Sequence, residues 1–158
     1  ARAAAMCDVR DPSRIGEAFD LAAMKGLEVL VLGEGSNVLF AADYPGLVLC
    51  LTGDDCRIME QNDSQALIRA EAGMLWNELV HWTLARGWNG LENMALIPGT
   101  VGACPIQNIG AYGVELERFV AAVEGAETRT VGGGEIRPPL TSVIRFDMAG
   151  AADVNKAQ

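Results

Sequence analysis

GLENMALIPGTVGACPIQNIGAYGVEL, residues Gly90–Leu116, is the stretch on which the fold turns. It is apolar, dense in glycine and almost uncharged, with Glu92 and Glu115 its only charged side chains. An ordinary surface loop is polar, so this is not one. It is not one helix either, because Pro98, Pro105 and the glycines at 99, 102, 110 and 113 would break it. What remains is buried, irregular backbone, whose N–H and C=O groups need partners. A bound ligand is the expected partner. Glycine lets the main chain approach such a ligand closely, and Gln107, Asn108 and Tyr112 can add hydrogen bonds.

A second glycine turn, Gly33-Glu34-Gly35-Ser36-Asn37, stands directly after the apolar run LEVLVL. Its glycines allow positive φ, and Ser36 and Asn37 can donate to phosphate oxygens. It is neither the GxGxxG fingerprint nor a P-loop, since no lysine follows. Alone it could be a tight turn with no ligand. Paired with Ile97-Pro98-Gly99-Thr100-Val101-Gly102, it suggests two walls around one extended ligand. A dinucleotide needs such walls: main-chain amides for its pyrophosphate and apolar contacts for a flat ring.

Working outward, Ala3–Val9 reads as a strand, and Asp11, Pro12 and Ser13 offer a helix start. Ile15, Ala18, Phe19 and Ala22 recur at helical spacing up to Lys25, and Gly26 ends the run. Glu28–Leu32 is a strand, Val38–Phe40 an extended segment, and Gly46–Leu51 another strand. This is a βαβ start that favours parallel pairing. Arg57–Glu60 and Ala66–Ala70 flank Gln61-Asn62-Asp63-Ser64 as a hairpin. Leu75–Arg86 is a helix with Leu75, Leu79 and Trp82 on one apolar face, Trp76, Val80 and Thr83 beside it, and Gly87 at its end. Val120–Ala126 and Glu127–Val131 read as strands, followed by the loose turn Gly132-Gly133-Gly134. Met148–Gln158 reads as a frayed, disordered tail.

The chain has 158 residues, 50% hydrophobic and 21% charged, which suffices for a real core. A formal net charge of −9 and no basic tract make nucleic acid and anionic membranes poor partners. Cys7, Cys50, Cys56 and Cys104 form no CxxC pair, and His81 is the lone histidine, so no metal site is expected. The thiols read as reduced and mostly buried, as in a cytoplasmic protein. The start shows no signal peptide, and no apolar run is of membrane-spanning length. His81 reads as a solvated surface residue, Trp76 and Trp82 as packing residues and Trp88 as cover for the Gly90 segment. Cys104 reads as a small buried filler. Glu92 and Glu115 read as anchors for nearby amides.

LGEGSNVLF followed by GLENMALIPGTVGACPIQNIGAYGVEL resembles the UDP-N-acetylenolpyruvoylglucosamine reductases, flavoenzymes of peptidoglycan precursor synthesis. The likeness runs from about Leu30 to Arg118. It implies an α+β chain with the FAD-binding fold of the vanillyl-alcohol-oxidase (PCMH) type, in which two α+β subdomains grip the cofactor. Residues 1–52 would form the first, a βαβ unit, and 53–147 the second, with 148–158 as the tail. By motif match, Gly33, Gly35, Ser36 and Asn37 would line the pyrophosphate side. Pro98, Gly99, Gly102, Gln107, Asn108, Gly110 and Ala111 would line the flavin and the rest of the diphosphate, with Tyr112 a wall of the same motif.

In the family NADPH reduces the flavin. The reduced flavin then gives a hydride to the enolpyruvyl double bond of UDP-N-acetylglucosamine enolpyruvate, and an acid supplies a proton. The family's phenylalanine-glycine-tyrosine-arginine-aspartate-serine stretch is replaced here by Arg145-Phe146-Asp147-Met148. The family's C-terminal substrate domain, which holds its serine proton donor, is expected to be absent. The resemblance therefore implies a cytoplasmic flavin-binding portion, incomplete for catalysis alone, with no catalytic residue assigned. The alternative is a non-catalytic, FAD- or nucleotide-binding remnant.

Overall fold

The structure, a computed structural model, describes residues 1–126 and 140–150. Its first part begins with β1 (Ala3–Val9), α1 (Ile15–Met24), β2 (Val29–Leu32) and β3 (Tyr44–Leu51). The Asp11 carboxylate accepts the Ser13 amide at 2.9 Å and starts a 3-10 turn that leads into α1. Gly26, at φ +64°, lets the chain leave the helix. The strands form a parallel sheet in the order β1-β3-β2, with Met6 and Leu30 both opposite Val48. The βαβ reading holds, but β3 enters between the two strands that α1 connects. Ile15 and Ala18 pack on Val9 and Leu49 as a small core. Val38–Phe40 is not a strand: it lies free of the sheet, and Leu39 is 95% exposed.

The second part opens with the hairpin β4 (Cys56–Gln61) and β5 (Gln65–Glu71). The Asn62 side-chain oxygen accepts the Ser64 and Gln65 amides, each at 2.8 Å, closing the turn. Then come α2 (Trp76–Leu84), β6 (Trp88–Asn89), α3 (Cys104–Gln107), β7 (Gly110–Ala111), β8 (Val114–Glu115), β9 (Val120–Ala126) and β10 (Leu140–Gly150). β10 is antiparallel to β5 on one side and to β9 and β6 on the other. One face of this sheet carries Ala66, Ile68, Ala70, Ile144, Phe146 and Met148 into the larger core. α2 packs there through Trp76, Leu79, Val80 and Thr83, while Leu75 is 39% exposed, so the buried stripe is rotated from the expected one. Trp76 sits against Phe146, ring centroids 6.2 Å apart, and its indole N–H donates to the Met94 carbonyl at 2.7 Å.

The expected tail needs a correction at its start. Met148, Ala149 and Gly150 continue β10, with Met148 only 1% exposed. Pairing to Ala66, Gln65 and Trp88 supplies order that their small side chains do not advertise. The expected strand at 127–131, the glycine turn at 132–134 and residues 151–158 lie outside the described residues. No helix among the described residues is long and apolar enough to cross a membrane.

Candidate functional site

The chain leaves β2 at Leu32 and turns through Gly33–Asn37. Gly35 takes φ +78°, a left-handed conformation that glycine adopts without cost. Its carbonyl accepts the Val38 amide at 3.3 Å. The amides of Glu34, Gly35, Ser36 and Asn37 have no acceptor among the described residues. Four consecutive N–H groups without a protein acceptor at one glycine turn are available to an anion.

Facing them is Pro98–Gln107. Gly99, at φ +128°, donates its amide to Glu34 Oε2 at 2.9 Å and accepts the Trp76 amide at 2.9 Å. Thr100 bridges Leu75, the Val101 amide reaches the Met74 carbonyl at 2.8 Å, and the Gly102 amide reaches the Ala72 carbonyl at 2.9 Å. The segment is thus sewn to the end of β5 and the start of α2. A 3-10 turn and α3 follow. Asn108 ends α3 in a left-handed conformation, φ +41°, and the Ile109 amide returns to the Cys104 carbonyl at 3.3 Å.

Between the two turns lies a cleft of about 580 Å³, within the range of small-molecule sites. Of the residues that the sequence reading singles out, Gly33, Gly35, Ser36, Asn37, Pro98, Gly99, Gly102 and Gln107 line it. Asn108, Gly110, Ala111 and Tyr112 lie outside its lining. Gly110 and Ala111 form β7, which pairs with β8. Tyr112 is 91% exposed at the tip of that hairpin, where its φ of +52° and the φ of +78° at Gly113 make the turn. Asn37 Nδ2 donates to Gln107 Oε1 at 3.2 Å, so each side chain already holds the other.

The lining also includes residues that motif reading passes over: β2 from Val29 to Leu32, Phe19, Leu51, Glu34, Thr100, Ile106 and Ile109. Among the described residues Glu34 is the sole charged side chain in it. Its sequence signal is plain in hindsight: it is the only acid between two glycines in a turn otherwise without charge. The mostly apolar wall with polar groups gathered at the two turns suits an extended ligand whose anionic centre meets N–H groups and whose flat parts meet aliphatic side chains. Gly33 is needed for a different closeness, because a Cβ there would stand 2.8 Å from Thr100 Oγ1.

Cys104 is buried on the cleft wall. Its thiol points to the Thr100 carbonyl at 3.2 Å, and burial pushes its pKa up to about 12. A thiol held protonated is a packing group and not a nucleophile. Glu92 anchors the Gly90 amide at 2.5 Å, as expected, whereas Glu115 is exposed on β8. His81 is exposed on α2. Arg145 pairs with Glu124 on the neighbouring strand and does not line the cleft. Among the described residues no group of three or more His, Cys, Asp or Glu could hold a metal ion.

Comparison with known proteins agrees with this geometry. Residues 3–137 match the family model described as FAD binding domain. The UDP-N-acetylenolpyruvoylglucosamine reductase of Xylella fastidiosa (strain M12) is 51% identical over 124 residues, which is 78% of this chain and 35% of that protein. The protein of the same name from Xanthomonas campestris pv. campestris (strain 8004) is 46% identical over 125 residues, 79% of this chain and 36% of that one. The chain therefore spans about a third of the length of these relatives. Among solved structures, the Thermus caldophilus UDP-N-acetylenolpyruvylglucosamine reductase (MurB) superposes with a TM-score of 0.54 at 20% identity, over 96% of this chain and 61% of that one. An alkyldihydroxyacetonephosphate synthase superposes at 0.65 with 12% identity, over 92% of this chain and 31% of that one. Both likenesses place the chain in the α+β, PCMH-type FAD-binding fold.

Proposed function

The chain belongs to the FAD binding domain family, and on that premise we propose that it is the FAD-binding portion of a UDP-N-acetylenolpyruvoylglucosamine reductase. The observation that carries this reading is the run of unpaired amides from Glu34 to Asn37, facing Gly99 across an apolar cleft. Gly33–Asn37 would hold the diphosphate through main-chain N–H groups, helped by the Ser36 hydroxyl. Pro98, Gly99, Thr100, Gly102 and Gln107 would form the opposing wall. The aliphatic face from Val29 to Leu32 would exclude water from the ring systems. We assign residues 1–52 and 53–147 to the two gripping subdomains, a division favoured by the separate three-stranded and five-stranded sheets and their two cores. Asn108, Gly110, Ala111 and Tyr112 would support the wall from behind or meet other parts of the ligand.

FAD bound here would supply hydride transfer, from NADPH to the enolpyruvyl group of UDP-N-acetylglucosamine enolpyruvate, within cytoplasmic cell-wall precursor synthesis. No side chain described here is assigned the proton donor of that reaction. Titrating FAD into the protein should quench flavin fluorescence saturably. Folded protein that leaves FAD fluorescence unchanged at millimolar concentration would overturn the proposal. Arg145, held by Glu124 away from the cleft, favours a second reading: a binding module without redox turnover. Anaerobic NADPH separates the two, since bleaching of bound flavin marks a working reductive half-reaction and persistent yellow marks the module.

A further inference from the structure

We propose that Glu34 is a positioning residue: its carboxylate ties the two glycine turns together and sets the gap that the FAD diphosphate enters. The inference rests on the FAD reading above. Glu34 Oε2 accepts the Gly99 amide at 2.9 Å across 65 residues of sequence. Gly99 takes φ +128°, a conformation open to glycine and to few other residues, so its peptide has many orientations and needs an external acceptor to fix one. A Cβ on Gly99 would come 3.7 Å from Ser36 Oγ, so the held peptide stands directly against the opposite turn. The Asn37–Gln107 hydrogen bond, at 3.2 Å, is a second crossing from the first turn, to the end of α3 that follows the second.

A carboxylate is an odd choice beside an anion. Glu34 is the only charged group lining the cleft among the described residues, and the chain carries −9 overall. Its charge opposes a diphosphate, while its oxygen orients the wall that receives it. The tie needs an acceptor of the right reach and does not need the charge. Glutamine supplies the same reach with a neutral oxygen, and alanine supplies neither. The two substitutions therefore separate geometry from electrostatics.

FAD affinity and amide hydrogen exchange at Gly99 are measured for the parent, Glu34→Ala and Glu34→Gln. A solvent-exposed hydrogen bond of this kind corresponds to about a three- to tenfold change in an equilibrium constant. Glu34→Ala should weaken FAD binding by about that factor and speed Gly99 exchange in the ligand-free protein. Glu34→Gln should keep Gly99 protected and bind FAD at least as tightly as the parent. Parent-like exchange in Glu34→Ala, or a glutamine variant as weak as the alanine variant, would overturn the proposal. A parent that ignores FAD would sink the cofactor reading instead, and the exchange data would still judge the tie.

Discussion

Gly33–Asn37 and Gly90–Leu116 share a composition, yet the fold uses their glycines in different ways. In the first turn Gly33 is packed against Thr100, but beyond it the backbone is open: a Cβ on Gly35 would meet nothing closer than Leu32 Cδ2 at 3.8 Å, and the neighbouring amides have no acceptor among the described residues. In the second, Gly102, Gly110 and Gly90 serve packing, while Gly99 and Gly113 have room for a Cβ. A Cβ on Gly102 would lie 2.6 Å from the Ala72 Cβ, one on Gly110 would lie 2.8 Å from the Val114 carbonyl, and one on Gly90 would enter the Phe119 ring. The amides at Val101, Gly102, Ala103, Ile109 and Leu116 all find backbone carbonyls of this chain. Buried irregular backbone therefore did not require a ligand to satisfy it. The anion-seeking turn is the shorter one, and the longer segment is largely the scaffold that faces it.

The contrast is broken most directly at Gly102. The sequence alone suggests that valine there would block FAD by occupying its space. The structure gives a different cause, because the new side chain collides with Ala72. Gly102→Val should lower stability by about 3 kcal/mol, the upper end for overpacking, and FAD binding should fall only as folding does. Ala72→Gly in the same chain should recover part of the loss, as a double-mutant cycle in thermal denaturation would reveal. Normal stability with abolished FAD binding would mean that Gly102, which lines the cleft, is glycine for the ligand's sake and not for packing on Ala72.

Burial of the second segment also sets a pH dependence. Cys104 has its thiol pKa raised from 9.0 to about 12 by desolvation, and Cys56 is raised to about 12 for the same main reason. Both stay neutral when folded, whereas the unfolded chain ionises first. Their contribution to stability is full below pH 9 and is lost as pH rises toward 12. One pH unit above the unfolded pKa, Cys104 alone should account for about 1.4 kcal/mol. Urea titrations of the parent and Cys104→Ala across that range test it, and equal slopes for the two would mean that Cys104 is solvated.

At Gly35 the expected effect is smaller and falls on binding. Alanine at φ +78° introduces strain of about 1 kcal/mol without a clash. The turn should relax and misalign its amides, so Gly35→Ala should lose FAD affinity more than it loses melting temperature. Proportional losses in both would make the two turns equivalent after all.

What the sequence could show follows from where its signals are local. The helical spacing after Pro12 and the Asn62 hairpin each carry their own cause, and each element formed. Insertion of β3 between β1 and β2 depends on distant pairing, and nothing in Tyr44–Leu51 encodes its neighbours. Met148–Gly150 lacks a period of its own and is ordered by β5 and β6. The motif residues Gly33–Asn37, Pro98, Gly99 and Gly102 lie along the cleft, and their signal is legible because glycine at a turn is a local demand. Glu34 stands out in the sequence as an acid between two glycines, but its role is not readable there because it depends on Gly99, far along the chain.

Salt should produce the smallest effect, and its sign bears on how the first turn works. A phosphate site built from lysine or arginine weakens as salt screens the attraction. Here the lining offers N–H dipoles and a single negative charge, Glu34, on a chain of net −9. Short-range dipoles are little affected by screening, whereas the long-range repulsion between an acidic protein and a diphosphate is reduced by it. FAD affinity should therefore hold steady or rise slightly between low and high ionic strength, and Glu34→Gln should flatten whatever rise there is. A marked loss of affinity in salt would mean that a cation outside the cleft lining completes the site, and the open turn would no longer be the principal anion holder.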